Sequence, residues 1–426
     1  MGRWNRRSFL QVAGGAALGL AACGRSGGGS AVQFWTMQLQ PKFTDYFQRA
    51  IAEFEAGRSG RAVQWLDVPW AAMESKILTA VAARTAPDVV NLNPSFASRL
   101  AAWGAWLDLS DRVSESVRSR YLPNIWQANA IEGRSFGVPW YLTTKVMIYN
   151  RSLLARAGVD RPPATYAELA ETARLVREKT GKYGFFMTVA PNDSAELLES
   201  LVQMGVELVD DRGRAAFASA AGRSAVNYWV DLFRRGWLPK EALTQGHRRG
   251  IELYQAGESA IVGSSPEFLN AIATNAPTIA ALSEAAPQVV GPSGDRGVAV
   301  MNLTIPKKSP RSAAALDFAL FLTDDHHQLS FAQAANVLPS THAALRSLRQ
   351  SLNASGGPTA GNTLDRARRI AADQVVEARV LLPPIKNIKD LQQILYENLQ
   401  AAMLEEKTVD RALDDATAEW NSLVAG

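Results

Sequence analysis

Cysteine is all but missing from this 426-residue chain, which carries one, Cys23. A single thiol excludes a disulfide framework and any zinc or iron–sulfur site built from cysteines. Histidine is scarce as well, at four residues, so a histidine-rich metal cage is not expected. No apolar run reaches the roughly 18 residues that a membrane helix requires, which excludes a polytopic membrane protein. Charge of one sign is lacking too. The 45 Lys and Arg face 41 Asp and Glu, and without Arg3, Arg6 and Arg7 the balance is 42 against 41. Basic runs interleaved with aromatics are absent, so there is no electrostatic footprint for a phosphate backbone, and nucleic acid is excluded as a partner. Neither a phosphate-binding Gly-x-x-x-x-Gly-Lys-Ser/Thr loop nor a His-Glu-x-x-His pair occurs. His326-His327 follows Asp324-Asp325 at a helix start, and adjacent side chains on a helix point to different faces, which is poor for chelation by the pair. No metal or cofactor is expected.

The first thirty residues read as an address. Asn5-Arg6-Arg7-Ser8-Phe9-Leu10 leads into a weakly apolar run to Ala22, then Leu20-Ala21-Ala22-Cys23 and a Gly/Ser stretch to Ser30. Charged, apolar and small segments in that order form a cleaved export signal, too short to span a membrane. Leu-Ala-Ala-Cys resembles a bacterial lipobox, which makes Cys23 the lipidation site. The paired arginines resemble a twin-arginine signal, with general secretion as the alternative route. Residues 1–22 are thus expected to be cleaved and 23–30 to form a lipidated tether.

The body alternates strand and helix. Val32–Trp35, Ala62–Leu66 and Asp88–Leu92 read as strands, separated by a helix over 41–57 and another carrying Met73, Ile77, Ala80 and Val81. Phe43, Phe47, Ala50, Ile51 and Phe54 give the first helix its apolar stripe. Such alternation predicts an α/β fold with a mainly parallel sheet flanked by helices. Ligands of such sheets gather at the carboxyl ends of strands. A second unit opens at Val146–Asn150. Thr165 and Glu168 form a capping box for the next helix, and Gly181 ends it. Further helices are read near 195–204, 224–235, 312–322 and 324–335, with a pair within 390–420. Ala285–Gly297 reads as connecting loop.

Four separated segments carry a resemblance. They are Ala86–Val90 with Leu100–Ser110; Glu132–Pro139 with Ile148-Tyr149-Asn150 and Pro163–Tyr166; Tyr254–Ile261; and Ile305–Ser309 with Ala314–Phe318 and Phe321-Leu322-Thr323. In this order, behind a lipobox, they resemble the extracellular solute-binding proteins of bacterial ABC importers, the group that includes maltose-binding protein. The resemblance spans residues 31–426. It implies two discontinuous α/β lobes, 31–138 with 300–337 and 139–299 with 338–426. Crossing strands would join them near Val138-Pro139, Val298–Met301 and Val337–Pro339. It also implies an exported, monomeric receptor, periplasmic or on the outer face of the membrane, which hands its ligand to permease subunits.

By family position the ligand contacts would be Trp35, Gln38, Gln40, Asn93, Ser95, Trp140, Tyr141, Thr143, Ser264, Ser265 and Glu267. Trp70 joins them as a second aromatic at a strand end. The residue types suit a carbohydrate. A pyranose has apolar faces that stack on Trp or Tyr, and hydroxyls that pair with amides and carboxylates. Packing in the core is the competing role for each tryptophan, and the expected one for Trp65, Trp103, Trp106 and Trp126. Glu267 is equally readable as a solvated acid at a helix start. Mono- or oligosaccharides come first as substrates, then glycosylated polyols, then glycerol phosphates. A glycoside-acting enzyme is the rival from another class, since two carboxylates at the right separation suffice.

Overall fold

The structure, a computed structural model, describes residues 31–58, 61–101, 104–131, 133–191, 193–354, 363–382, 385 and 387–425. The expected export signal, tether and Cys23 lie outside the described residues, as does Trp103. Among the described residues no helix is long and apolar enough to cross a membrane.

Eleven strands follow in chain order: β1 (Val32–Met37), β2 (Val63–Val68), β3 (Val89–Leu92), β4 (Ala130–Ile131), β5 (Arg134–Ser135), β6 (Gly137–Thr143), β7 (Val146–Asn150), β8 (Ile261–Ser264), β9 (Ser283–Ala286), β10 (Ala299–Thr304) and β11 (Leu338–Pro339). Six of them form one sheet in the order β11-β6-β10-β3-β1-β2, and β8-β7-β9 form a second. In the first sheet β1 runs parallel to β2 and β3, as the strand–helix alternation predicts. β10 is antiparallel to β3 and β6, and β11 to β6. The second sheet departs from the expected parallel arrangement, because β7 is antiparallel to both neighbours. Short hydrogen-bonded strands from distant parts of the chain meet there, and no single βαβ crossover dictates their direction.

β1 is covered on both faces. Val32 and Phe34 point into an aromatic core with Phe47, Phe54, Trp140, Phe318 and Phe331, while Met37 and Trp35 pack with Met73, Ile77 and Leu92. The helix Thr44–Gly57 buries Phe47, Ala50 and Phe54, the stripe that the sequence shows. Phe34 and Phe318 meet edge to face at 5.1 Å, and Trp140 stacks on Phe331 at 5.0 Å and 20°. Such pairs add about 0.5–1.5 kcal/mol each beyond the area they bury. A glycine begins β6 because β10 comes close: a Cβ on Gly137 would stand 3.0 Å from the Asn302 Cβ.

The second sheet is backed by the helices Tyr166–Thr180, Glu196–Gln203, Ala220–Arg234, Ile388–Met403 and Val409–Ala425, around Trp229, Tyr396 and Trp420. Thr165 Oγ1 accepts the Glu168 N–H at 3.3 Å, and Glu168 reaches back to the Ala164 N–H at 2.7 Å. Thr165 therefore caps the helix as its pattern implies, and Glu168 reaches back as far as the residue before the cap. Between the sheets lies a third apolar cluster, with Leu142 and Val300 of the crossing strands against Val146 and Ile148 of β7. β9 falls inside a stretch that reads as loop or just before it, and the helices His342–Ala354 and Thr363–Gln374 are not foreseen. Ser283-Glu284-Ala285-Ala286 has weak strand propensity, so its pairing with β7 is a tertiary effect.

Candidate functional site

The carboxyl ends of β1, β2 and β3 are adjacent, since the strands are neighbours and parallel. After β1 the chain turns at Gln38 with φ +52°. Asp67 at the end of β2 holds that turn: its carboxylate accepts the N–H of Leu39 and of Gln40 at 3.0 Å each and the Thr36 hydroxyl at 2.6 Å. Gln38 Oε1 accepts the Trp70 N–H at 3.3 Å, where the helix Trp70–Ala82 begins. Asn93 Oδ1 accepts the Phe96 N–H at 2.9 Å, which turns the chain into the helix Pro94–Ala101. Trp70 is 44% exposed and its ring lies 6.0 Å from that of Phe96. An aromatic pair, Trp70 exposed and Phe96 partly buried, thus sits on the strand ends of the first lobe.

Across from it, the second lobe presents a polar wall around a cavity of about 370 Å³. Its lining includes Thr143, Lys145, Asp193, Glu196, His247 and Ser264. The volume is within the range of about 300–1,000 Å³ usual for small-molecule sites. Lys145 Nζ lies 2.8 Å from Glu196 Oε1 and 3.1 Å from Glu199 Oε2, and Glu196 Oε2 lies 3.1 Å from His247 Nδ1. The His247 N–H donates to Asp193 Oδ2 at 2.7 Å. Burial would raise the Glu196 carboxyl, but Lys145 and His247 outweigh it and bring the pKa down to about 2. Burial would lower Lys145, and Glu199 with Glu196 reverses that, holding the ammonium well above its ordinary range. Lys145 and Glu196 are thus held in their charged forms at the edge of the cavity.

The helix Ile388–Met403 connects the two walls. Gln392 Nε2 donates to the Asp193 carbonyl at 3.3 Å and Tyr396 OH to that of Ser194 at 3.1 Å, so the helix packs behind the polar wall. One turn earlier, Lys389 Nζ reaches Glu74 Oε2 of the first lobe at 2.5 Å and stands 5.6 Å from the centre of the Phe96 ring. Glu74 follows Trp70 by four residues and shares its helix face. Lys389 therefore ties the helix behind the polar wall to the first lobe beside the aromatic pair.

The expected site residues divide. Thr143, Ser264 and Ser265 line the cavity. Gln38, Gln40, Trp70 and Asn93 lie on the first lobe's strand ends; the Ser95 side chain is not among the described ones. Glu267 lines a neighbouring cavity of about 300 Å³, 4.0 Å from Arg368 Nε. Trp140 is a correction. It has no exposed surface and is stacked on Phe331 in the aromatic core, because its position on β6 points toward the Thr44–Gly57 helix rather than the cleft. Trp35 is also a packing residue, half-buried under the Trp70–Ala82 helix with Lys76 Nζ 4.9 Å from its ring centre. Tyr141 packs against Trp140 and Phe331, and burial, then the Asp67 carboxylate, pushes its hydroxyl up. Trp106 is core, as expected. Asp193, Glu196, Glu199, His247, Phe96 and Lys389 are absent from the sequence-based list. Lys145, next to the expected contacts, is a signal for Glu196 and Glu199 alone, since a lysine drawn into a fold needs acidic partners.

A family model described as bacterial extracellular solute-binding protein matches residues 40–328, more than half of the chain. The diacetylchitobiose binding protein DasA of Streptomyces coelicolor is 22% identical over 358 residues, which cover 82% of each chain. A Synechococcus sp. MITs9220 protein described as an oligosaccharide periplasmic-binding protein superposes with a TM-score of 0.85 at 44% identity, over 92% of this chain and 99% of that one. Its structure has also been determined in complex with zinc. The sugar-binding protein MalE of Xanthomonas citri shares the fold, with a TM-score of 0.78 at 24% identity over 93% and 97% of the two chains. Two sheets joined by crossing strands and a family match over most of the body agree: this chain belongs to the bacterial extracellular solute-binding proteins, which bind a solute rather than convert it.

Proposed function

We propose that the protein captures a mono- or oligosaccharide between its lobes and delivers it to the permease of an ABC importer. The observation that carries this reading is the exposed Trp70 ring beside Phe96 on the first lobe, joined through the Lys389–Glu74 ion pair to the helix that packs behind a cavity of polar side chains on the second. A sugar ring offers apolar C–H faces to the first and a rim of hydroxyls to the second. The DasA protein and the Synechococcus protein are, by their descriptions, binding proteins for such ligands. A phosphate diester is the poorer fit. Lys145 is the one lysine or arginine among the described residues of that cavity, and two carboxylates already neutralise it. Closure would bring 31–138 with 300–337 against 139–299 with 338–426, and ligand contacts to both would favour the closed form. Acylation at Cys23 would tether a monomeric receptor to the outer face of the membrane. Methylene groups of the acyl chains add ~0.8 kcal/mol each.

The test is a panel of sugars, glycosides, polyols and glycerol phosphates, followed by thermal stability and tryptophan fluorescence. A ligand at 100 times its dissociation constant adds about 2.7 kcal/mol to the native state. A saturable response to a sugar, with the compound recovered unchanged, is the expected result. Saturation by a glycerol phosphate alone would overturn the carbohydrate assignment.

A further inference from the structure

We propose that Glu53, His326 and His327 form a site for a divalent transition-metal cation of the zinc type on the outside of the first lobe. None of the three lines the cleft cavity. Glu53 belongs to the helix Thr44–Gly57 and the histidines to the helix Asp325–Ala335, so the ion would tie two helices together. One donor atom from each residue lies within 4.8 Å of the other two.

His327 carries the argument. It is 4% exposed, with its ring against Phe321 at a centroid distance of 4.0 Å. Its Nδ1 lies 2.9 Å from Asp324 Oδ1, the oxygen that also caps the helix by accepting the His327 N–H at 2.8 Å. A carboxylate on Nδ1 favours the proton there, which leaves the Nε2 lone pair free and aimed away. That Nε2 is buried and has no hydrogen-bond partner, and it faces Glu53 Oε2 at 3.6 Å. An unsatisfied ring nitrogen in the protein interior is costly, and carboxylate–imidazole–metal is the arrangement in which that cost is recovered. Tetrahedral zinc with bonds of about 2.0–2.2 Å sets its donors roughly 3.3–3.6 Å apart, the separation already found between His327 and Glu53.

His326 supplies the third donor. Its ring centre is 5.1 Å from that of His327, with the planes at 86°. Adjacent helical residues do diverge, as the sequence implies, but Glu53 comes from a neighbouring helix into the angle between them. Both Glu53 and His326 are exposed, so their side chains can swing onto an ion that the fixed His327 holds. Two imidazoles and one carboxylate suit zinc, whereas calcium and magnesium prefer oxygen donors throughout. Three protein ligands leave one position for water.

The test is calorimetric titration of the metal-free protein with zinc chloride, beside cobalt substitution to read coordination geometry. One zinc per chain, a tetrahedral cobalt spectrum and no response to calcium are expected. Glu53→Gln and His326→Ala alter exposed side chains and should each weaken zinc binding at least tenfold, with the thermal transition of the metal-free protein and the response to the sugar panel unchanged. His247→Ala should leave zinc affinity as it was. Zinc affinity that survives both Glu53→Gln and His326→Ala would overturn the assignment. So would its loss in His247→Ala, which would put the ion in the cleft, or the absence of any binding at millimolar zinc.

Discussion

The two walls of the cleft are built from different chemistry. The first lobe offers a half-exposed aromatic pair, Trp70 and Phe96, fixed by backbone hydrogen bonds at the ends of parallel strands. The second offers a polar network of Lys145 with Glu196, Glu199 and His247, in which Lys145 and Glu196 hold each other in their charged forms. The aromatic wall is apolar and tolerant of what stacks on it, whereas the charged wall is directional, so affinity and selectivity need not reside on the same side. A platform gains by burying area, and a network gains by fixing donors and acceptors before the ligand arrives.

Substitutions should separate these roles, and the largest effect belongs to a residue on neither wall. Trp140→Ala should cost about 3–5 kcal/mol of stability in denaturant unfolding, as expected of a large buried side chain. A loss within 1 kcal/mol, roughly what a surface change costs, would return Trp140 to the cleft. The charged wall should show itself in acid. Glu196 has a depressed pKa in the folded state, so its contribution is complete above about pH 4.5 and is lost as pH falls toward about 2. The wild type should lose on the order of 3 kcal/mol across that window, and Glu196→Gln should flatten the dependence. Equal acid slopes in the two proteins would mean that the network is not coupled to folding.

The aromatic wall should behave in the opposite way. Trp70→Ala should weaken sugar binding roughly tenfold while changing stability by no more than about 0.5 kcal/mol, since stacking is worth about 1 kcal/mol beyond area and the ring is exposed. Unchanged affinity would leave the charged wall to account for binding alone. The smallest effect is expected where the walls meet. Lys389→Ala removes an exposed ion pair with Glu74, worth about 0.2–1 kcal/mol, so ligand affinity should fall by a factor of about 1.4–5 at low salt. The difference should vanish at high ionic strength, which screens such a pair.

The first lobe was the more legible in the sequence for a physical reason. Its first three strands and the helices and turns between them are consecutive, so Gln38, Trp70 and Asn93 can be placed at strand ends by counting along the chain. What counting does not give is the face. Trp140 and Tyr141 follow one another on β6, and their assignment to core or cleft depends on which helix lies over the sheet. The second lobe's wall collects Lys145, Asp193, Glu196 and His247 from three segments some fifty residues apart, and no local pattern links them.

By itself, the sequence determined an α/β body and the strand ends on which one wall of the cleft stands, and its motifs carried the resemblance to the solute-binding family. The first two follow from hydrophobic periodicity and turn residues, which act over a few neighbouring residues. Only the tertiary structure decided that Trp140 is core, that Lys145 is neutralised by two glutamates and that Lys389 spans the cleft to Glu74. Burial and charge pairing depend on distances between segments far apart in the chain, and those distances exist only once the lobes have formed.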